Sequence, residues 1–324
     1  MSQISLTALT NFNSAVPWGL WVGIYIWLVG ISAGSFGLVM WGNLKDNPHL
    51  KKITRLGVTL SLSTLMVGLL SIQIDLGHIE RFYKLFTSPS PVSVMTWMVW
   101  LYGVYFAILT LSALNLKKGF RKYFLQFSVV FALAVILIES LLFAMPPGKH
   151  WHSLIFPLHF LTSSFVSAIA ALIIGTAAFW AKGEKTELLK GLSKIALPLI
   201  VINLAIEIIE MVLLKEIGYL QSWILILGNA AAILLLLKCK PLTITLAGGI
   251  ELINMLLSKY SSLISAQIVE PFKGFASAYI EPRLAFSYIP SAFEFLVSVF
   301  LIGSVVFLFY FLYKVFSLTR EVKS

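Results

Sequence analysis

The sequence predicts an all-α polytopic membrane protein with about nine transmembrane helices. Three observations carry that reading. Of 324 residues, 59% are hydrophobic and only 12% are charged, whereas a soluble domain carries about 25% charged residues. The mean hydropathy is +0.91. The apolar residues gather in runs of roughly 20, the length that crosses a bilayer as a helix, and most lysines and arginines fall in the connections between runs. This composition excludes a soluble enzyme and a disordered chain. It also excludes a nucleic-acid partner despite the net charge of +10, because such binding needs basic residues clustered on a water-facing surface. The single cysteine, Cys239, leaves no internal disulfide, no cysteine-ligated iron–sulfur cluster and no zinc site. The first seventeen residues carry no Lys or Arg, unlike the basic start of a signal peptide.

The segments follow in order. The first, residues 16–41, sets Gly30 and Gly34 four apart, extended by Gly23 and Gly37; this spacing lets helices approach closely. The second, 53–75, ends at Asp75 on the membrane rim. The third, 92–115, starts beside Trp97, which with Trp18 and Trp151 fits an interfacial aromatic belt. The fourth, 123–145, is apolar except for Glu139 and Ser140 near its end. The fifth, 153–181, holds His159 and a small-residue face of Ser164, Ala168, Ala171 and Gly175. The sixth, 195–215, aligns Asn203, Glu207 and Glu210 on one helix face, since i, i+4 and i+7 superpose. The seventh, 219–237, contains Asn229. The eighth, 242–258, is the weakest: it is short, contains Gly248, Gly249 and Glu251, and either spans or is re-entrant. The ninth, 288–316, carries Glu294. No fixed-period repeat or low-complexity tract interrupts the series. The connections 77–91 and 259–287 read as interfacial pieces lying on the membrane surface.

Charge sets the orientation. Lys45, Lys51, Lys52 and Arg55, then Lys117, Lys118, Arg121 and Lys122, then the lysines from Lys182 to Lys194, then Lys238 and Lys240, and last the C-terminal tail all fall on one side of a nine-segment chain. The opposite connections are nearly balanced. Positively charged loops stay cytoplasmic, so the expected N-terminus is outside and the C-terminus inside the cell's inner (plasma) membrane.

A charge at mid-bilayer costs about 2.5–3.5 kcal/mol on insertion scales, so intramembrane acids are candidate functional groups. Five are expected here: Glu139, Glu207, Glu210, Glu251 and Glu294. With a rise of about 1.5 Å per residue, they lie roughly 8–12 Å from the outer face, and His159 lies about 9 Å from it. The inner half offers only hydroxyls and amides, such as Ser61, Ser63, Thr110, Thr176 and Asn229. An outward-opening, half-membrane cavity accounts for this pattern better than a charged path across the bilayer. Asn203, Glu207 and Glu210 form either a proton-carrying stripe or interhelical hydrogen-bond glue. Glu251 and Glu294 read first as structural, Glu139 as functional, and His159 as either. A bis-histidine haem is disfavoured because His159 alone is deep. No flavin or P-loop signature follows a strand-like run. What remains is binding of an apolar ligand, or transport.

Several strings resemble the NrfD/PsrC family, the membrane subunits of respiratory oxidoreductases such as polysulfide reductase. PWGLWVGIYIWLVGISAGSF (residues 17–36) is similar to the family's first helix, its PWGLW start resembling hydrogenase-linked members. DLGHIERF (75–82) resembles the family's DLGxPERF string, followed by SPSPVSVMTW (88–97). HSLIFPLHFLTSS (152–164) resembles the fifth-helix entry, and YIPSAFEF (288–295) the last helix of longer members. Two departures stand out. Ile79 replaces the usual proline, and Ile138-Glu139-Ser140 stands where many short members show Tyr-Thr-Gly, so Glu139 takes the tyrosine's place.

The resemblance implies two four-helix bundles plus an extra C-terminal helix: residues 1–148 with a quinone site, 149–258, an outer connection at 259–287, and 288–324. It implies a membrane subunit that exchanges electrons between quinone, menaquinone first, and a four-cluster, ferredoxin-like iron–sulfur subunit docked outside. A molybdopterin or hydrogenase catalytic subunit would stand beyond that partner, with membrane lipid around the chain. Haem, flavin and iron–sulfur clusters are not expected in this chain. The expected catalytic groups are Glu139, Asp75 and His78, with Trp21, Tyr25, Arg81 and His159 around the quinone. Glu207, Glu210 and Glu294 are proton-transfer candidates. The rival is a secondary transporter with an outward-facing polar cavity.

Overall fold

The computed structural model describes residues 18–75, 80, 82–116, 119–144, 155–180, 182–215, 218–268 and 288–321. Among these residues all regular structure is helical. The helices are α1 (Leu20–Leu44), α2 (Pro48–Lys52), α3 (Thr54–Asp75), α4 (Lys84–Thr87), α5 (Val94–Leu114), α6 (Lys122–Ala144), α7 (Ile155–Phe179), α8 (Lys182–Leu213), α9 (Leu220–Leu237), α10 (Pro241–Gln267) and α11 (Ala292–Glu321). All except α2 and α4, nine among the described residues, are long and apolar enough to span a membrane. The predicted all-α, nine-span protein is what the chain forms.

Helix α1 is the core. Every residue from Trp21 to Met40 is buried, as expected of a helix that is apolar all round. It packs on α3, α6, α7 and α10. The two small-residue faces expected from the sequence meet here. A Cβ built on Gly30 would lie 2.8 Å from Ser164 Oγ, and one on Gly34 would lie 2.6 Å from Ala168 Cβ. A Cβ at either position forces its neighbour on α7 to shift. Helix α5 rests on α3 and α6. Helices α7, α8, α9 and α10 contact one another in sequence order and through the α7–α10 pair, and α11 lies along α3.

Two segments are longer than expected. Helix α8 starts at Lys182 rather than residue 195, because Leu188, Leu189 and Leu192 are buried and continue the apolar face towards its start. Its first turn carries Glu184, a favourable charge at a helix N-terminus. Helix α10 is neither short nor re-entrant: it runs 27 residues to Gln267. Its extra turns bury Lys259, Leu263, Ile264 and Ala266, so 259–267 is helix rather than surface connection, and 269–287 lie outside the described residues. At the opposite end, Asn47 caps α2 by accepting from the amides of His49 and Leu50. Beside it, Lys51 Nζ stands 2.7 Å from Asp46 Oδ1 and holds that exposed carboxyl below the usual carboxylate range.

Candidate functional site

A cavity of about 300 Å³ opens among α1, α3, α5 and α6 at the end where α3 stops and α5 begins. Its walls are mainly apolar, with Val22, Leu69, Ile72, Met98 and Val99 among them. Phe82, Phe86, Gly103 and Phe106 in its lining are exposed, so the cavity reaches the protein surface. Asp75, the last residue of α3, also lines it. The polar feature at depth is a hydroxyl pair: Tyr25 of α1 and Tyr102 of α5 both line the cavity, and their Oη atoms are 2.7 Å apart.

Glu139 stands beside this pair. It is fully buried, and neither carboxyl oxygen finds a hydrogen-bond donor at bonding geometry among the described residues. The Tyr25 and Tyr102 hydroxyls are close enough to act on it as hydrogen-bond donors, short of ideal geometry, and the Lys259 amine lies within its electrostatic reach. A buried carboxyl without well-formed hydrogen bonds is costly, so Glu139 is held there against its own solvation preference.

A second polar cluster lies across α7 and α10. His159 of α7 places Nδ1 2.5 Å from Glu210 Oε2 and Nε2 3.6 Å from Glu207 Oε1, both carboxylates on α8. Ser258 of α10 completes the ring's contacts, its Oγ 3.2 Å from Nε2. Asn203 Nδ2 and Asn229 Nδ2 donate to the two oxygens of Glu207 at 3.1 and 2.6 Å. Asn229, which its position in the sequence places in the inner half, therefore belongs to this acidic group. Glu251 is buried nearby, with neither oxygen hydrogen-bonded among the described residues and Glu207 within electrostatic reach.

The predicted residues thus separate into three places. Asp75, Tyr25 and Glu139 gather at the first cavity, while His159, Glu207 and Glu210 form the second cluster. Trp21 and Glu294 meet at the start of α11. There the Trp21 indole donates to the Glu294 carbonyl at 3.1 Å and its ring packs edge-on to Phe293. Helix α11 begins four residues later than the predicted segment because Ser291 and Glu294 form a reciprocal cap: Ser291 N donates to Glu294 Oε2 at 2.8 Å, and Glu294 N donates to Ser291 Oγ at 3.2 Å. Tyr288 Oη donates to Glu294 Oε1 at 2.7 Å. Glu294 is therefore in the first helical turn, not two turns deep. His78 and Arg81 lie outside the described residues.

Two residues of these sites are not expected from the sequence. Tyr102 sits in an apolar run and looks like core until its pairing with Tyr25 is seen. Lys259 falls at the start of a predicted surface connection, yet it is only 3% exposed. Its Nζ donates to the Phe160 carbonyl at 3.0 Å and lies 3.1 Å from the Phe160 ring centroid. The signal is present in the sequence: Leu256, Leu263 and Ile264 continue a helical period through Lys259. Among the described residues, no three His, Cys, Asp or Glu side chains gather to hold a metal ion.

Comparison with known proteins agrees with this architecture. The chain is 28% identical to a subunit of the selenate reductase of Mesobacillus selenatarsenatis, over 94% of this chain and 86% of that protein. It is 24% identical to the Hdr-like menaquinol oxidoreductase integral membrane subunit of Archaeoglobus fulgidus, over 97% of this chain and 88% of the relative. A shorter similarity, 34% over 29% of this chain and 22% of the other, links it to a Halobacterium salinarum protein described as a dimethyl sulfoxide reductase membrane subunit. The family profile described as "Polysulphide reductase, NrfD" matches residues 8–270. With nine apolar helices among the described residues and a profile that covers most of its length, this multi-pass membrane protein belongs to the NrfD family of oxidoreductase membrane subunits.

Proposed function

We propose that this chain is the quinone-reactive membrane subunit of a respiratory oxidoreductase complex, and that it exchanges electrons between membrane quinone and an iron–sulfur partner docked on the outer face. One observation carries the reading: an apolar cavity of about 300 Å³ ends at the Tyr25–Tyr102 hydroxyl pair, with the buried Glu139 carboxyl beside it. That volume is at the small end of the roughly 300–1,000 Å³ typical of small-molecule sites, and it suits a flat, apolar ring with polar atoms at its edge. A bound quinone would supply a couple that takes up or releases two electrons and two protons.

The chain's own part is binding and proton handling. Val22, Leu69, Ile72 and Met98 exclude water and hold apolar surface at about 25 cal/mol per Å². The tyrosine pair offers an O–H donor at the inner end. Asp75 and Glu139 each hold or move a proton at a carboxyl oxygen, which requires them to stand within hydrogen-bond reach of the reacting group. The resemblance of the DLGHIERF string to the family's adds His78 and Arg81, outside the described residues, as candidates. Glu294 serves as a cap and lies within electrostatic reach of Asp75. Menaquinone is the preferred quinone, consistent with the Archaeoglobus relative. The four-cluster ferredoxin-like partner, the molybdopterin or hydrogenase subunit beyond it, the two four-helix bundles, the plasma membrane and an outside N-terminus complete the reading.

The test is a fluorescence titration of the purified complex with heptyl-hydroxyquinoline oxide, a quinol analogue quenched on binding. Saturable quenching, weakened by Glu139→Gln or Arg81→Ala, is the expected result. No saturable quenching with partner subunits present would overturn the reading and favour solute transport.

A further inference from the structure

Three cavities adjoin in a row. The membrane cavity shares Phe143 with a small void of about 10 Å³, lined by Lys259, His159, Ser163, Ser258 and Ser262 among others. That void shares His159 and Ser262 with a third space of about 40 Å³, which holds Glu207 and Glu210 and is edged by Ser222, Ser261 and Ser265. A void of roughly 10–15 Å³ is about the size of one water, and Lys259, His159 and three serines are among the residues that line this one. The row thus runs from an apolar chamber to a hydroxyl-lined one on the other side of α10.

The titratable groups follow the same row. Glu139 lies within electrostatic reach of Lys259, and Lys259 within reach of Glu210. His159 bridges the last two spaces, with Ser258 at 3.2 Å and Glu210 at 2.5 Å. Lys259 Nζ is further held by the Phe160 carbonyl and stands 3.4 Å from Ser164 Oγ. Neither Lys259 nor His159 lines the membrane cavity, so the proposed quinone chemistry leaves both unused.

We propose that Lys259 and His159 relay protons between Glu139 and the serine-edged space among α8, α9 and α10, so that protons and the apolar ligand enter by different openings. This rests on the quinone reading. The transferred species is a proton alone: Glu139 passes it to Lys259 Nζ, and His159 with Glu210 delivers it to water at the serine rim, or the reverse. The paired electrons go to or come from the iron–sulfur cluster of the partner. Ser262, which lines both smaller spaces, is a narrow point that a larger apolar side chain would block.

The experiment uses the whole complex. Binding of heptyl-hydroxyquinoline oxide is titrated, and electron exchange between dimethylnaphthoquinol and the partner clusters is followed by cluster absorbance. Lys259→Met, His159→Gln and Ser262→Leu are each expected to bind the analogue within about twofold of the unaltered complex. Each should lower kcat about a hundredfold, the lower end for a lost proton-transfer group, with KM unchanged. The Lys259→Met/His159→Gln pair should be no slower than the slower single variant, because steps on one route do not add. Unchanged kcat with binding intact overturns the relay and leaves the quinone site standing. Multiplying losses in the double variant, or lost analogue binding in all three, make these residues structural and also overturn the relay. No binding by the unaltered complex overturns the quinone reading itself.

Discussion

Glu139 carries the sharpest expectation at the scale of single residues. It is buried without a well-formed hydrogen bond among the described residues, beside two hydroxyls that line a cavity. Glu139→Gln keeps the shape and removes the proton-carrying oxygen. Turnover with a soluble naphthoquinol should fall about a hundredfold, while the complex still assembles on size-exclusion chromatography; unchanged turnover would remove Glu139 from the chemistry. Tyr102→Phe deletes one hydroxyl of the pair and should weaken binding of the hydroxyquinoline oxide about fivefold, the equivalent of about 1 kcal/mol for one hydrogen bond. Equal affinity would mean that the pair is only a helix clamp. Glu139 is legible in the sequence because a lone acid in an apolar run is costly wherever it sits. Tyr102 is not, because an aromatic residue in a membrane helix is commonplace and its meaning lies in the distance to Tyr25.

Helices α1 and α7 meet through glycine, serine and alanine, and that contact has no spare volume. Gly34→Leu should eliminate the monodisperse peak of the detergent-solubilised protein, since even a Cβ at this position lies 2.6 Å from Ala168 Cβ. Retention of that peak would mean that the helices can separate. The start of α11 makes a different statement. Glu294→Ala removes both the reciprocal cap and the Tyr288 contact, so the thermal midpoint should fall with a loss of about 1–2 kcal/mol, while kcat per assembled complex stays within about twofold. A large loss of kcat at an unaltered midpoint would return Glu294 to proton transfer. The small-residue spacing is readable in the sequence because it needs only helical periodicity. The capping role is hidden there because an acid near a helix start looks the same as one a turn or two deeper until the first helical residue is known.

For the whole molecule, the proposed orientation has a simple check, because Cys239 is a single, exposed cysteine between α9 and α10. A membrane-impermeant maleimide added to intact cells should leave it unlabelled, and permeabilisation should expose it. Labelling in intact cells would invert the topology. Composition, apolar runs and acid positions determined that the chain is a membrane protein with nine candidate spans and a few costly buried acids, because the free-energy cost of placing charge in lipid is a property of residue type and depth. Which acids share a site was decided only by tertiary structure. Glu139 joins Tyr25 and Tyr102, His159 joins Glu207 and Glu210, and Lys259 stands between the two groups because α10 continues past Ser258. Those meetings depend on how six helices turn about their axes, and that rotation is fixed by packing between helices rather than by the pattern within any one of them.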